Sequence, residues 1–221
     1  TEGVYGTNGT IVFTDTAMSA LIRLPQATAD TNNVAGTEFI NIDFAGKSNA
    51  NYCINGFGNH MLFSNCRFRS ALLSGTDSSQ GWDNMYLHCY WLDNIVDGES
   101  MAQGQNNQNT HIGCKYVNNG RFGVFGRSSF ALGYDNCLFE NNGAAAFFGF
   151  GCVGLSFSDS CYFDRNGQAG HVFTTPSVTV NADIILNGSN STTTMTVATP
   201  CTGITIDTPF VSGNASDPHT L

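Results

Sequence analysis

Apolar residues in this chain fall into short runs broken by asparagine, glycine or serine, and no stretch carries the 3.6-residue periodicity of an amphipathic helix. One pattern recurs at long range. Cys66, Cys89, Cys114, Cys137 and Cys161 are spaced by 23, 25, 23 and 24 residues, and Ile42 stands 24 residues before the first. Two positions after each comes an aromatic: Phe44, Phe68, Trp91, Tyr116, Phe139 and Phe163. A fixed period of this size marks a solenoid. Residues i and i+2 of a strand share a face, so Cys66 with Phe68, and Cys137 with Phe139, are predicted to point inward and to stack coil on coil. Asn94, Asn119, Asn142 and Asn166 follow in the same register, three of them before Gly120, Gly143 and Gly167. Asparagine and glycine tolerate the left-handed backbone of a sharp corner, and stacked amides can bond from coil to coil. Leu72-Leu73, Ile95-Val96, Phe147-Phe148 and Val172-Phe173 then predict a second strand per coil.

Short strands between Gly and Asn corners exclude a helical solenoid, and a missing Leu-x-x-Leu-x-Leu pattern excludes a leucine-rich repeat. The predicted fold is all-β: a right-handed parallel β-helix (solenoid) with coils of about 24 residues. Residues 1–38 are expected to form an N-terminal opening coil or cap through Thr10–Phe13 and Ala20–Leu24, and 39–174 the regular β-helix. Residues 175–221, with strand-like Asp183–Leu186 and Gly203–Ile206 around a Ser/Thr-rich stretch, are expected to form irregular last coils, a C-terminal cap or an oligomerisation segment. Terminal repeats are atypical because an uncapped end exposes the core and a sheet edge.

Only 11% of the 221 residues are charged, so solubility rests on neutral hydrogen-bonding groups, a surface suited to sugars. A net charge of -9 with eight Lys and Arg argues against a nucleic-acid partner. The absence of an apolar run of about 18 residues argues against membrane insertion. Thr1–Thr10 lacks the basic and apolar stretches of a signal peptide, which predicts a processed chain or a fragment. Sequons at Asn8, Asn187, Asn190 and Asn214 are within what an Asn/Ser/Thr-rich chain produces by chance. Five cysteines in one column cannot all pair with one another, so a reduced, buried ladder, suited to assembly in a reducing cytoplasm, is expected rather than a disulfide framework. Buried thiols make poor nucleophiles. His88-Cys89 and His111-Ile112-Gly113-Cys114 lack a CxxC partner for zinc, and no Asp-rich loop has calcium-binding spacing. No metal and no cofactor are predicted.

Residues flanking the inward aromatic point outward: Arg67, Tyr90, Lys115, Leu138 and Tyr162 on one side, Arg69, Leu92, Val117, Glu140 and Asp164 on the other. Glu140 and Asp164 thus become outward neighbours on successive coils, a candidate general acid and a nucleophile or base, or equally a solvated acidic strand face. A second constellation runs from Trp82 to Glu99. Trp82, Tyr86, Tyr90 and Glu99, with Tyr162 above, are candidate sugar-binding residues, and Asp93 and Asp97 further candidate catalytic carboxylates. Here the alternative is that Trp82 caps a loop and the acids keep a turn soluble. For β-elimination the available cations are Lys115, Arg121 and Arg127, the last two flanking an apolar strand whose edge they would also protect.

With the cysteine ladder, the Asn corners and motifs such as Asn136-Cys137-Leu138-Phe139-Glu140-Asn141-Asn142-Gly143 in hand, residues 39–173 resemble the pectate-lyase-like superfamily of β-helices. More particularly they are similar to a bacteriophage tailspike or tail-fibre depolymerase domain. The resemblance implies a homotrimer in a virion tail appendage, assembled in the host cytoplasm, that binds a bacterial surface polysaccharide and often cleaves it by glycoside hydrolysis or β-elimination. Fold alone does not carry function. A non-catalytic receptor-binding or shaft module is the alternative, favoured by coils so even that no long loop walls off a deep pocket. A secreted, extracellular polysaccharide lyase is the third option.

Overall fold

The computed structural model describes residues 9–24, 36–56, 58–102, 106–150, 152, 154–158, 161–166, 184–187 and 205–206. Val172-Phe173, Gly167 and the sequons at Asn8, Asn190 and Asn214 lie outside them. Among the described residues there are strands and no helix, and every strand pairing is parallel. The chain is a parallel β-helix.

Each coil has three strands, one more than the apolar pattern predicts. Sheet A stacks β1 (Thr10–Phe13), β4 (Ile42–Ala45), β7 (Arg67–Arg69), β10 (Tyr90–Leu92), β13 (Lys115–Val117), β16 (Leu138–Glu140) and β19 (Tyr162–Asp164). Sheet B stacks β2 (Met18–Arg23), β5 (Ala50–Asn55), β8 (Ser74–Asp77), β11 (Asp97–Met101), β14 (Phe122–Arg127), β17 (Ala145–Phe150) and β20 (Ile184–Asn187). Sheet C, the unforeseen one, stacks β3 (Glu38–Ile40), β6 (Leu62–Ser64), β9 (Met85–Leu87), β12 (Thr110–Ile112), β15 (Gly133–Asp135), β18 (Ser156–Phe157) and β21 (Thr205–Ile206). Its three-residue strands with one inward side chain are too short to register as a period, and unlike those of sheet A they follow no recurring cysteine.

The corners turn on left-handed residues, singly in most coils and in pairs at some, as at Lys47 and Ser48 and at Gln80 and Asp83. Between C and A they include Asn41, Asn65, His88, Gly113 and Asn136; between A and B, Ser70, Asp93, Asn118, Asn141 and Arg165; between B and C, His60, Asp83, Gln108, Ala131 and Gly154. The A–B corner corrects the sequence reading by one position. Asn94, Asn119, Asn142 and Asn166 do not take the left-handed turn; the residue before each does, and the asparagines are buried.

There they form the expected amide ladder. Nδ2 of Asn94 donates to Oδ1 of Asn119 at 2.9 Å, Asn119 to Asn142 at 2.9 Å and Asn142 to Asn166 at 2.8 Å. The second hydrogen of each amide reaches down to a carbonyl, Asn119 to Trp91 at 3.1 Å and Asn142 to Tyr116 at 3.0 Å. At the C–A corner the cysteines stand just ahead of the sheet A strands. Each thiol donates to a carbonyl of the coil below: Cys66 to Phe39, Cys89 to Phe63, Cys114 to Tyr86, Cys137 to His111 and Cys161 to Tyr134, at 3.3 to 3.5 Å. A buried donor left without an acceptor would be costly, and a carbonyl two strand positions beyond its own ladder bond supplies one. The seven described cysteines are reduced and buried, and burial pushes the Cys53 thiol up to about 12.

Two aromatic columns fill the bore. On sheet A, Phe44, Phe68, Trp91, Tyr116, Phe139 and Phe163 follow one another with centroids 4.5 to 5.4 Å apart. On sheet C, Phe39, Phe63, Tyr86, His111, Tyr134 and Phe157 do so at 4.6 to 5.0 Å. The columns meet edge to face, as at Phe63 and Phe68, the geometry that ring quadrupoles favour. Sheet B closes the bore with a bend that turns two consecutive residues inward, Gly98 with Glu99 and Gly123 with Val124. A Cβ on Gly98 would stand 2.5 Å from the carbonyl oxygen of Gly123, so the coils pack there at backbone distance.

Asn119→Ala removes the donor and acceptor of four bonds at once and is expected to cost on the order of 3 kcal/mol in urea unfolding. Asn118→Ala, one position earlier at the exposed corner, is expected to cost under about 1 kcal/mol.

Candidate functional site

Two of the sequence-derived sugar-binding residues are in the wrong place to meet a ligand. Tyr86 and Glu99 are fully enclosed in the bore, the first in the sheet C column and the second at the inward bend of β11. Around Glu99 the core is polar. Ser78 Oγ donates to Glu99 Oε1 at 2.7 Å, Tyr116 Oη to Oε2 at 3.3 Å, and His111 Nε2 stands 3.0 Å from Oε2. Trp91 Nε1 donates to Thr76 Oγ1 at 2.9 Å one coil down. The other candidates are spread over four surfaces. Trp82 is 43% exposed at the B–C corner, aligned with Asn59, Asn107 and Phe130. Tyr90 and Tyr162 lie half-buried on the outside of sheet A, with Lys115 Nζ 5.3 Å from the Tyr90 ring centre. Asp93 is an exposed left-handed corner residue.

Glu140 and Asp164 are register neighbours on the outside of sheet A, as their spacing predicts. Arg165 bridges them, bonding Asp164 Oδ2 at 3.0 Å through Nε and Glu140 Oε1 through its terminal nitrogen. The guanidinium occupies the space between the carboxylates in which a water or a sugar oxygen would have to stand. Asp43 and Arg69 form a similar pair lower on the sheet, at 2.9 Å.

The outer face of sheet B gathers chemistry into a smaller area. The bend that sends Gly98 and Glu99 inward leaves Asp97 and Ser100 outward, with Ser74 and Asp77 beside them on β8 and Phe122 and Phe125 on β14. All six are buried at the floor of this face. Asp97 holds Arg121 with both oxygens, at 2.8 and 2.6 Å, and accepts the Phe122 backbone N–H at 3.2 Å. The guanidinium carbon lies 4.9 and 5.3 Å from the Phe122 and Phe125 ring centres. Asp77 accepts from Ser79 Oγ at 2.6 Å, the Ser79 N–H at 3.3 Å and Asn55 Nδ2 at 3.1 Å. Burial nevertheless holds the Asp77 carboxyl above the usual carboxylate range, outweighing those bonds. Tyr52, a coil below, has its phenol raised by burial and by the charges of Asp77 and Asp97. The rim that meets solvent is therefore Tyr52, Asn55 and Arg121, each beside or bonded to a recessed carboxylate.

Tyr52, Asn55 and Asp77 carry no repeat signature in the sequence, and only the coil-to-coil register brings them together. Arg121 and Asp97 are 24 residues apart, one coil, a spacing that could have flagged the pair. In comparisons with family models, curated proteins and solved structures, nothing matches this chain.

Arg121→Met strands a buried carboxylate and is expected to cost about 2 to 3 kcal/mol, a buried-pair penalty reduced by the partial exposure of the arginine. Arg165→Met, at the exposed bridge, is expected to stay within about 1 kcal/mol in the same urea titration.

Proposed function

We propose that this β-helix is a glycan-binding module of the tailspike kind, which holds a bacterial surface polysaccharide on the outer face of sheet B without needing to cut it. The observation that carries this reading is the rim of Tyr52, Asn55 and Arg121 over recessed Asp77 and Asp97. Sugar recognition asks for an aromatic face, amide and guanidinium donors and a fixed geometry, and donors tied to buried acceptors are preorganised. The mostly uncharged exterior supports a polyhydroxylated partner; the exposed Trp82 offers a stacking surface at the adjoining corner. A homotrimer in a virion appendage, with secretion as the alternative, completes the proposal by resemblance.

Hydrolysis is the second reading, and the raised Asp77 carboxyl favours it. A carboxyl whose proton burial holds more tightly than usual is the better suited of two to act as general acid beside an ion-paired partner. β-Elimination has less support, since Arg121, the cation bonded to a recessed carboxylate, is committed to Asp97.

The test is a panel of bacterial capsular and O-antigen polysaccharides, scored for binding, for new reducing ends and for the ultraviolet absorbance of unsaturated products. Binding without products is expected, with Tyr52→Ala and Asn55→Ala each weakening it about tenfold or more, one lost anchor's worth. Tyr90→Ala and Tyr162→Ala on sheet A, and Trp82→Ala at the corner, should change it less. Reducing ends that vanish in Asp77→Asn would establish hydrolysis instead. No binding to any polysaccharide would refute the reading.

A further inference from the structure

The bore contains one ion-pairing partnership that nothing at the surface uses. In the sheet C column of Phe39, Phe63, Tyr86, His111, Tyr134 and Phe157, one ring of the six can carry a positive charge. In the inward column of sheet B, Ile54, Thr76, Glu99, Val124 and Phe147, one residue of the five can carry a negative charge. The two stand opposite each other with side chains wholly shielded from solvent, His111 Nε2 at 3.0 Å from Glu99 Oε2. His111 Nδ1 lies 3.4 Å from the Gly133 carbonyl oxygen, so an oxygen stands near each ring nitrogen, although Nε2 meets Glu99 by ion-pair distance and not in hydrogen-bond alignment. Ser78 and Tyr116 donate to the carboxylate, which leaves Glu99 surrounded by donors alone.

We propose that Glu99 and His111 form a charged clasp across the bore, joining sheet B to sheet C, whose hold on the fold is strongest when the imidazole is protonated and weakens as pH rises. The titratable groups facing His111 are Glu99 from β11, Tyr86 from β9, Tyr134 from β15 and Tyr116 from β13, with Cys89 and Cys137 at the corners of the coils below and above. Burial by itself disfavours the imidazolium, but the charge and hydrogen bond of Glu99 outweigh burial and raise the histidine above its ordinary value. The tyrosines are pushed well above their ordinary range by burial and then by Glu99, so they remain neutral. A folded-state value above the unfolded one gives stability that is complete below about pH 6.5, the unfolded histidine value, and is lost as pH rises through the folded value.

Urea midpoints measured from about pH 5.5 to 9 on the whole chain test this, with about 6.5 as the ordinary histidine value. The wild type is expected to lose midpoint as pH rises above that value. In Glu99→Gln the imidazole is buried with no counter-charge, so the slope should reverse and the midpoint should rise with pH. In the double variant Glu99→Val with His111→Phe, built from residue types already present in the two columns, the histidine-dependent part of the profile should disappear. The double variant keeps the test available if Glu99→Gln fails to fold. Exposed His60 and His88 are common to all three proteins and cancel in the differences. A Glu99→Gln slope parallel to wild type, or a double variant that retains the wild-type slope, overturns the clasp. Neither outcome touches the glycan-binding proposal, which rests on other residues.

Discussion

Everything in this molecule depends on the strand spacing of about 4.8 Å between coils. At that pitch each side chain sits directly on the equivalent one of the coil below, so a residue that cannot stack on its own kind must find a complement there. Rings stack on rings, amides bond to amides and thiols reach the carbonyl beneath. The same spacing brings Arg121 within reach of Asp97 and Arg165 within reach of Glu140, each one position off direct register, and Arg165 thereby offsets the like charges of Glu140 and Asp164 that do stack. Coil-to-coil complementarity therefore does in this chain what tertiary packing between distant elements does in a compact domain.

That constraint explains which features were legible in the sequence. The cysteines, the sheet A aromatics and the A–B asparagines recur because each must match its neighbour, and a recurring residue type is visible without a structure. Sheet C is less legible although it is as regular, because no recurring cysteine precedes its inward rings as one precedes most of those of sheet A, and because one of its rings, His111, is not read from its type as an aromatic. The corners were misplaced by one residue for a related reason. Asparagine is suited both to left-handed backbone and to an amide ladder, and at Asn118-Asn119 the two roles fall on adjacent asparagines.

The candidate site was less legible, since a surface face is composed across coils. Tyr52, Asp77 and Asp97 come from three successive turns and share no spacing rule beyond the coil itself. Tyr86 and Glu99, by contrast, read as sugar-binding from their residue types. Tyr86 keeps the inward alternation of its strand, whereas β11 bends at Gly98-Glu99 and turns two consecutive residues toward the bore, against the alternation expected of a strand. The glycine before the bend is what permits it, because a Cβ there would strike the next coil's carbonyl.

The bend also links the two polar regions of sheet B. By sending Glu99 inward and leaving Asp97 and Ser100 outward, one short strand supplies a carboxylate to the bore and another to the outer face. The two meet different fates for one physical reason. Each is buried, and a buried carboxylate persists only with its bonds satisfied. Glu99 finds His111, Ser78 and Tyr116 inside, whereas Asp97 finds Arg121 and a backbone N–H outside. The inner partners are locked among stacked rings, so that pair can act only on the fold. Arg121 is held on one side by Asp97 and by two phenyl faces but remains partly open to solvent, so the outer carboxylate can present a fixed donor to a ligand. The solvent access of the partner, more than the type of the acid, separates the carboxylate locked inside the bore from the one whose partner faces outward.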